Sequence, residues 1–289
     1  MFLQFVVNGL ILGSIYALVS LGFALVYNAT RVFHIAYASL YMIAPYLMIT
    51  CFKTLGLPII MSVAIAVLLT SLLSVFIEIL IYKPLVQKNA ALSIMMVSSI
   101  GVMIVVSNII ALIYGNETQI INQEISGTVD WGGILITHSQ LYQLVFSAIV
   151  IAGFMVFIKY ARLGIITRAM RDDAVLCSVF GIDVYQSRLL IFAISGGFAA
   201  IGSILIAWDV GMDPYVGLPM LLNAVVALVI GGIGKFVTPV FGGLILGLTQ
   251  SVAVWAFSSR WQDVVTFSVL LIFVLLRPQG LFGERQRAV

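Results

Sequence analysis

Charge is what this sequence has least of. Only 9% of the 289 residues are Asp, Glu, Lys or Arg, against 62% hydrophobic, where a soluble domain carries roughly 25% charged residues. No water-facing surface can be built from so few charges, so lipid is the solvent for much of the chain, in keeping with a mean hydropathy of +1.19. Cysteine is scarce as well. Cys51 and Cys177 stand far apart without CxxC spacing, which speaks against a disulfide framework or a zinc site. The two histidines, His34 and His138, are also distant and no HExxH is present, so an intramembrane protease or metalloenzyme is not expected. A phosphate-cradling loop is missing too. Gly231-Gly232-Ile233-Gly234-Lys235-Phe236 resembles the end of one, but Val229 occupies the first glycine position and Phe236 replaces Ser or Thr. The chain is therefore not expected to bind ATP or any other cofactor directly. Met1-Phe2-Leu3-Gln4 lacks a basic stretch and the first apolar run is too long for a cleavable signal.

Long apolar runs are what the sequence has in quantity. Nine stand out, at about 5–27, 33–52, 57–82, 91–114, 139–158, 189–208, 218–233, 239–257 and 264–276. A helix needs about 20 apolar residues to cross a bilayer. The reading is an all-α polytopic membrane protein of about nine spans, forming one transmembrane domain. The second, seventh and ninth runs are short or interrupted, so eight spans with a re-entrant piece would also fit. With nine spans, the loops holding Lys83, Lys88 and Lys159 to Arg188, the tail, Arg31 and Lys235 fall on one side, leaving only Lys53 and Arg260 of the 14 basic residues on the other. The positive-inside rule then places the basic side and the C-terminus in the cytoplasm and the N-terminus outside. The net charge of +3 is read as topology anchoring, not as a nucleic-acid surface.

Residues 5–114 and 189–276 look like weak copies of each other. Each has a polar break, then a short span, a lysine with a nearby proline (Lys53 with Pro58, Lys235 with Pro239), and a long apolar span. Spans one to four would match spans six to nine, with 139–188 as the linking span and loop. An offset of five spans makes the copies run oppositely through the membrane, an inverted repeat of the transporter kind. Paired short spans interrupted by Gly or Pro mark a translocation path in such folds. Here they are 33–52 with Pro45, and 218–233 with Pro219 and Gly231-Gly232. The candidate path residues are Asn8, His34, Tyr37, Ser39 and Asn223. Gly9, Gly13, Ala17 and Ser20 share one side of span one, and Gly242, Gly243 and Gly247 do similar work in span eight, a spacing that favours close helix packing. The one carboxylate inside a span, Glu78, is placed at the membrane interface, sharing it with Lys83. No deep ion-coupling group is present, so energy is expected from a partner.

The loop 162–181 reads as one amphipathic helix. Leu163, Ile166, Met170, Ala174, Cys177 and Phe180 or Gly181 recur at steps of three and four, and Arg168 and Arg171 lie off that stripe. Gly181 can stop the helix and Asp183 can cap the next. A mixed-charge face suits either docking of a soluble partner or a plain surface helix.

At this loop a family resemblance emerges. "RLGIITRAMRDDAVLCSVFGIDVYQSRLLIFAISGGFAAIGSIL", "DPYVGLPMLLNAVVALVIGGIGKFVTPVFGGLILGLTQ", the ending "DVVTFSVLLIFVLLRPQGLFG", the start "NGLILGSIYALVSLGFALVYN" and "IYKPL" are similar to the H-type permease subunit of high-affinity branched-chain amino-acid ABC importers. The similarity runs over nearly the full chain. It implies a type II ABC importer in the bacterial inner membrane, pairing with an M-type permease or a second copy. Two cytoplasmic ABC ATPases would use the ATP, and a periplasmic binding protein would deliver substrate. It also implies a coupling helix at 168–183, with Arg168, Arg171, Asp173, Gly181 and Asp183. One stretch departs from the family, which usually reads Asn-Phe-Ala-His-Gly-Glu after span one. Here His34-Ile35-Ala36-Tyr37-Ala38-Ser39 puts Tyr37 for the histidine and Ser39 for the acid. An importer for urea, short amides or another small solute therefore stays open beside the amino-acid reading. A stand-alone secondary carrier is a third reading, which the missing deep carboxylate disfavours.

Overall fold

The structure, a computed structural model, describes residues 2–121, 127–130, 134–277 and 279–282. Helices α1 (Phe2–Thr30), α2 (Tyr37–Ile49), α3 (Ile59–Ile77), α4 (Lys83–Gln87) and α5 (Leu92–Tyr114) come first. A short antiparallel hairpin, β1 (Thr128–Asp130) and β2 (Leu135–Thr137), precedes α6 (His138–Tyr160). Then follow α7 (Arg162–Asp172), α8 (Ala174–Val179), α9 (Val184–Asp209), α10 (Gly217–Gly231), α11 (Thr238–Ala256) and α12 (Gln262–Leu276). Each of the nine apolar runs carries a helix. Seven of these, counting α3 through α4 as one, are long and apolar enough to cross a membrane. The short ones are α2 and α10. The hairpin lies between the fourth and fifth apolar runs.

Two helices change pitch. α2 continues into a π turn at Thr50–Thr54, and α3 into another at Glu78–Tyr82 before α4. Pro45, expected to interrupt the second span, sits inside α2 with the helix continuing past it. The irregular backbone comes before the helix, at residues 31–36. There Arg31, at φ +58, ends α1 by donating its N–H to the Tyr27 carbonyl at 2.9 Å.

In lipid the usual inside-out rule of burial loses its force, because both surroundings are apolar. α3 shows what replaces it. Its buried positions are Ser62, Ala66, Thr70 and Ser74, one turn apart, with Ile77 at the end, and Glu78 extends the row, while Leu68, Leu72 and Phe76 are exposed. Small and weakly polar side chains face the protein, and large apolar ones face outward.

By internal packing the chain forms two compact units, each assembled from separate stretches. Unit two (Leu25–Ile121 and Val156–Leu221) is built on α2, α3 and α9, with α5 against α2. Close approach explains its small residues. A Cβ at Gly196 in α9 would stand 2.7 Å from the Ser74 Cβ, and the Ser74 hydroxyl donates to the Phe192 carbonyl at 2.7 Å. Unit one (Met1–Ala24, Asn122–Met155 and Leu222–Val289) packs α1 on α11. The glycine faces read from the sequence meet there. A Cβ at Gly13 would stand 2.9 Å from the Leu244 Cα, and Gly243 and Gly247 abut the backbones of Ala17 and Gly13. Ser20 donates to the Ala224 carbonyl at 2.8 Å. The N–H groups of Leu281 and Phe282 reach the carbonyls of Ile230 and Gly231 at 2.9 and 3.2 Å, satisfying the open C-terminal end of α10.

Candidate functional site

Three of the five candidate path residues come together in unit two. His34, buried before α2, has its Nδ1 2.8 Å from the Tyr82 hydroxyl, which lies 2.6 Å from the Ser99 hydroxyl. Ser99 in turn accepts the Ala36 N–H at 2.6 Å. The imidazole is ringed by Tyr37, Tyr82 and Phe192 in edge-on contacts with centroids 6.0, 5.4 and 5.1 Å away. Its Nε2 is buried without a hydrogen-bond partner among the described residues. Ser39 is fully buried, and its hydroxyl is spent on the Ala36 carbonyl at 2.6 Å. The network ties the irregular entry of α2 to the π turn of α3 and to α5, so backbone that regular helix would satisfy is satisfied by side chains instead.

The other two candidates lie in unit one. Asn8 accepts from Gln4 Nε2 at 3.3 Å. Asn223, half-buried on α10, accepts from Gln250 Nε2 at 3.2 Å. Gln250 on α11 is 1% exposed and uses all four hydrogen-bond valences of its amide. Its Oε1 accepts from the Tyr16 hydroxyl at 2.8 Å and from Gln262 Nε2 at 3.0 Å, and its Nε2 donates to Asn223 and to the Thr266 hydroxyl. Sequence reading missed Tyr16, Gln250, Gln262 and Thr266. The trace they leave is that Gln250 and Thr266 are polar residues inside apolar runs.

The basic loop corrects one expectation. It is two helices, not one. At Asp173 the backbone turns extended (φ −158, ψ 105), and its carboxylate accepts the N–H groups of Val175 and Leu176 at 2.8 and 2.9 Å, capping α8. A residue that makes this cap cannot also continue the preceding helix. The buried face of α7 is Gly164, Thr167 and Met170, with Gly164 against the Phe157 and Ile158 backbone. Beyond the break, Cys177 is buried, but Val175, Val179 and Phe180 are exposed. Phe180 therefore does not extend the buried stripe. Arg168 donates to the Lys159 carbonyl at 3.3 Å and Arg171 pairs with Asp172 at 2.7 Å, both at the surface. Gly181 takes φ +79 where the chain turns, and the Asp183 carboxylate caps α9 through the Gln186 N–H at 2.9 Å.

Glu78, read from the sequence as lying at the membrane interface near Lys83, turns into the protein. Its side chain is 0% exposed and pairs with Arg188 of α9 at 2.8 Å, while Lys83 lies over the Tyr185 ring, 4.0 Å from its centroid. The row begun at Ser62 carries Glu78 inward, and a carboxylate there needs a cation. Beside the pair a cavity of about 590 Å³ is lined by Glu78, Lys83, Gln87, Val175, Ser178 and Arg188. No group of three or more His, Cys, Asp or Glu among the described residues could hold a metal ion.

Spanning helices with small polar inner faces, two short helices entered through irregular backbone, and a capped basic loop define a polytopic membrane protein. The fold agrees with that class. A solved structure, PsaBC from Streptococcus pneumoniae in complex with Fab, contains a chain matching at TM-score 0.54 and 13% identity, covering 98% of this chain and 94% of that one. The chain belongs to the branched-chain amino acid transport system / permease component family, whose sequence profile matches residues 5–275. It is similar to the high-affinity branched-chain amino acid transport system permease protein BraD of Pseudomonas aeruginosa, at 31% identity over 98% of this chain and 96% of that protein. LivH of Escherichia coli K12, of the same description, is 29% identical over the same shares. The probable permease LivH of Methanocaldococcus jannaschii is 22% identical over 96% and 91%. As a family member the chain is a permease component, a multi-pass membrane protein and not an enzyme.

Proposed function

We propose that this chain is the transmembrane permease subunit of an ATP-driven importer and forms the path for branched-chain amino acids. The observation that carries this reading is similarity over nearly the whole length to permeases named for that transport. The same names favour amino acids over urea or short amides, and a subunit over a stand-alone carrier. The chain sits in the bacterial inner membrane with its basic side and C-terminus in the cytoplasm and its N-terminus outside, following the charge bias. It works with a second permease, M-type or a second copy. Two ATPase subunits consume ATP, and a periplasmic binding protein delivers substrate.

The loop of α7 and α8 is the docking element. Val175, Val179 and Phe180 are apolar and exposed, and Arg168 and Arg171 lie on the preceding helix of the same loop. Asp173, Gly181 and Asp183 shape it through the two caps and the positive-φ turn. The spans form an inverted repeat, 5–114 and 189–276, and the path residues are His34, Tyr37 and Ser39 at the start of the short α2, Asn223 on the short α10, and Asn8 on α1. The irregular backbone before α2 and α10 supports that assignment.

The test is reconstitution with the ATPases, the second permease and the binding protein in liposomes. Labelled leucine, isoleucine or valine should accumulate only with ATP inside and loaded binding protein outside. Uptake by the permease alone, driven by an ion gradient, would sink the reading.

A further inference from the structure

The hydrogen bonds around Gln250 fix the polarity of Asn223. One group in the cluster has no choice of role. The Gln262 backbone carbonyl can only accept, and it lies 2.9 Å from the Thr266 hydroxyl. Thr266 therefore spends its one hydrogen there and offers a lone pair to Gln250. That settles which end of the Gln250 amide faces Thr266: the Nε2 end. Its second N–H points at Asn223, which must answer with Oδ1, at 3.2 Å. On the other side, Gln250 Oε1 receives the Tyr16 hydroxyl and Gln262 Nε2. With Oδ1 committed inward, Asn223 turns its NH₂ away from the cluster, and that NH₂ has no partner among the described residues.

Asn223 is partly exposed on α10, beside the exposed apolar side chain of Leu222. An amide donor facing hydrocarbon would remain unpaired at a cost no lipid tail relieves. A donor held in one orientation by this cluster, in which Gln250, Thr266 and Tyr16 are buried, is suited to an acceptor that arrives from outside the chain. A branched-chain amino acid has one acceptor-rich end, its carboxylate; its ammonium offers only donors.

We propose that Asn223 is a specificity-determining residue that presents its Nδ2 hydrogens to the carboxylate of the permeant amino acid. Gln250, held by Thr266, Tyr16 and Gln262, is the positioning residue that sets this polarity. The inference rests on the reading of the chain as an amino-acid permease, and it adds which end of the permeant α10 recognises. It also gives the cluster a purpose beyond gluing α1, α10, α11 and α12 together.

The experiment uses the complete importer in liposomes with saturating loaded binding protein, reading leucine imported per ATP hydrolysed. Asn223→Asp preserves shape and the inward acceptor but turns an oxygen outward, against the permeant carboxylate. That ratio should fall about tenfold or more, since like charges set against each other repel. Asn223→Gln keeps an outward NH₂ on a longer stem and should stay within about threefold of the parent, the size of one ordinary neutral hydrogen bond. A packing role predicts the reverse order, because Asp is the isosteric change. Thr266→Val removes the group that fixes the amide and should lower the ratio between those two values. The proposal is overturned if Asn223→Asp imports as the parent does, or if Asn223→Gln loses as much as Asn223→Asp. Failure of the parent importer to carry any branched-chain amino acid would instead refute the function proposed above, before any variant is compared.

Discussion

Removing one partner of the Glu78–Arg188 pair should harm this protein more than removing both. The oxygen and nitrogen stand 2.8 Å apart, with side-chain exposures of 0% and 13%. At an effective dielectric of about 20, two charges at that distance attract by roughly 6 kcal/mol. Taking each ion out of water costs several kcal/mol, so the intact pair contributes little net stability. A lone survivor has the cost without the attraction. Arg188→Met should therefore destabilise by about 3–5 kcal/mol, the usual penalty for stranding a buried charge, limited by the ability of a buried acid to take up a proton instead. Glu78→Gln should cost less, because the amide can still accept from Arg188, which is the more exposed partner. The Glu78→Met, Arg188→Met double variant should recover most of the loss. Membrane proteins often unfold irreversibly, so the comparison is of inactivation half-lives in one detergent at one temperature. A positive coupling in the double-mutant cycle is the diagnostic quantity. The reasoning fails if Arg188→Met is as durable as the parent, or if the double variant is no better than Arg188→Met alone.

Three further outcomes follow from contacts already described. Gly247→Ala would place a Cβ against the Gly13 backbone and should destabilise by about 1–3 kcal/mol, whereas Gly101→Ala, whose Cβ meets nothing, should be neutral or slightly stabilising in the same thermal assay. Asp173→Ala should loosen α8 by about 1 kcal/mol through the lost cap; hydrogen exchange at Val175 and Leu176 would speed up, and unchanged exchange would discount the cap. Tyr82→Phe takes away the hydroxyl between His34 and Ser99 and should cost about 1–3 kcal/mol by leaving buried groups unsatisfied. A further Ser99→Ala change still strands the Ala36 N–H but should cost less than the same change made in the parent, and full additivity would argue against one network.

The spans were legible because a bilayer imposes a length on every crossing element. Each of the nine runs holds a helix, with ends within a few residues of those read. The family was legible from the loop and the glycine-rich segments, and the glycine faces of α1 and α11 from their spacing alone. What escaped was direction. Hydrophobicity cannot say which side of a spanning helix faces inward, since lipid and protein interior are alike apolar. The row Ser62, Ala66, Thr70, Ser74, Glu78 does say it, and it would have turned Glu78 inward to a cation. Asp173 was hidden in a run of steps of three and four that a single helix satisfies equally well. Which cation Glu78 meets, and that Gln250 joins four helices, depend on contacts far apart in sequence that no local pattern encodes.

The hydrogen bonds from Leu281 and Phe282 to the end of α10 set an order of events during synthesis. α10 enters the membrane before α11 and α12, yet its last carbonyls stay open until the tail behind both has emerged from the ribosome. The short helix that holds Asn223 is thus among the last elements to be completed, though it is not among the last to be made. Chain shortened to residue 280 would contain every span and still leave that helix unfinished.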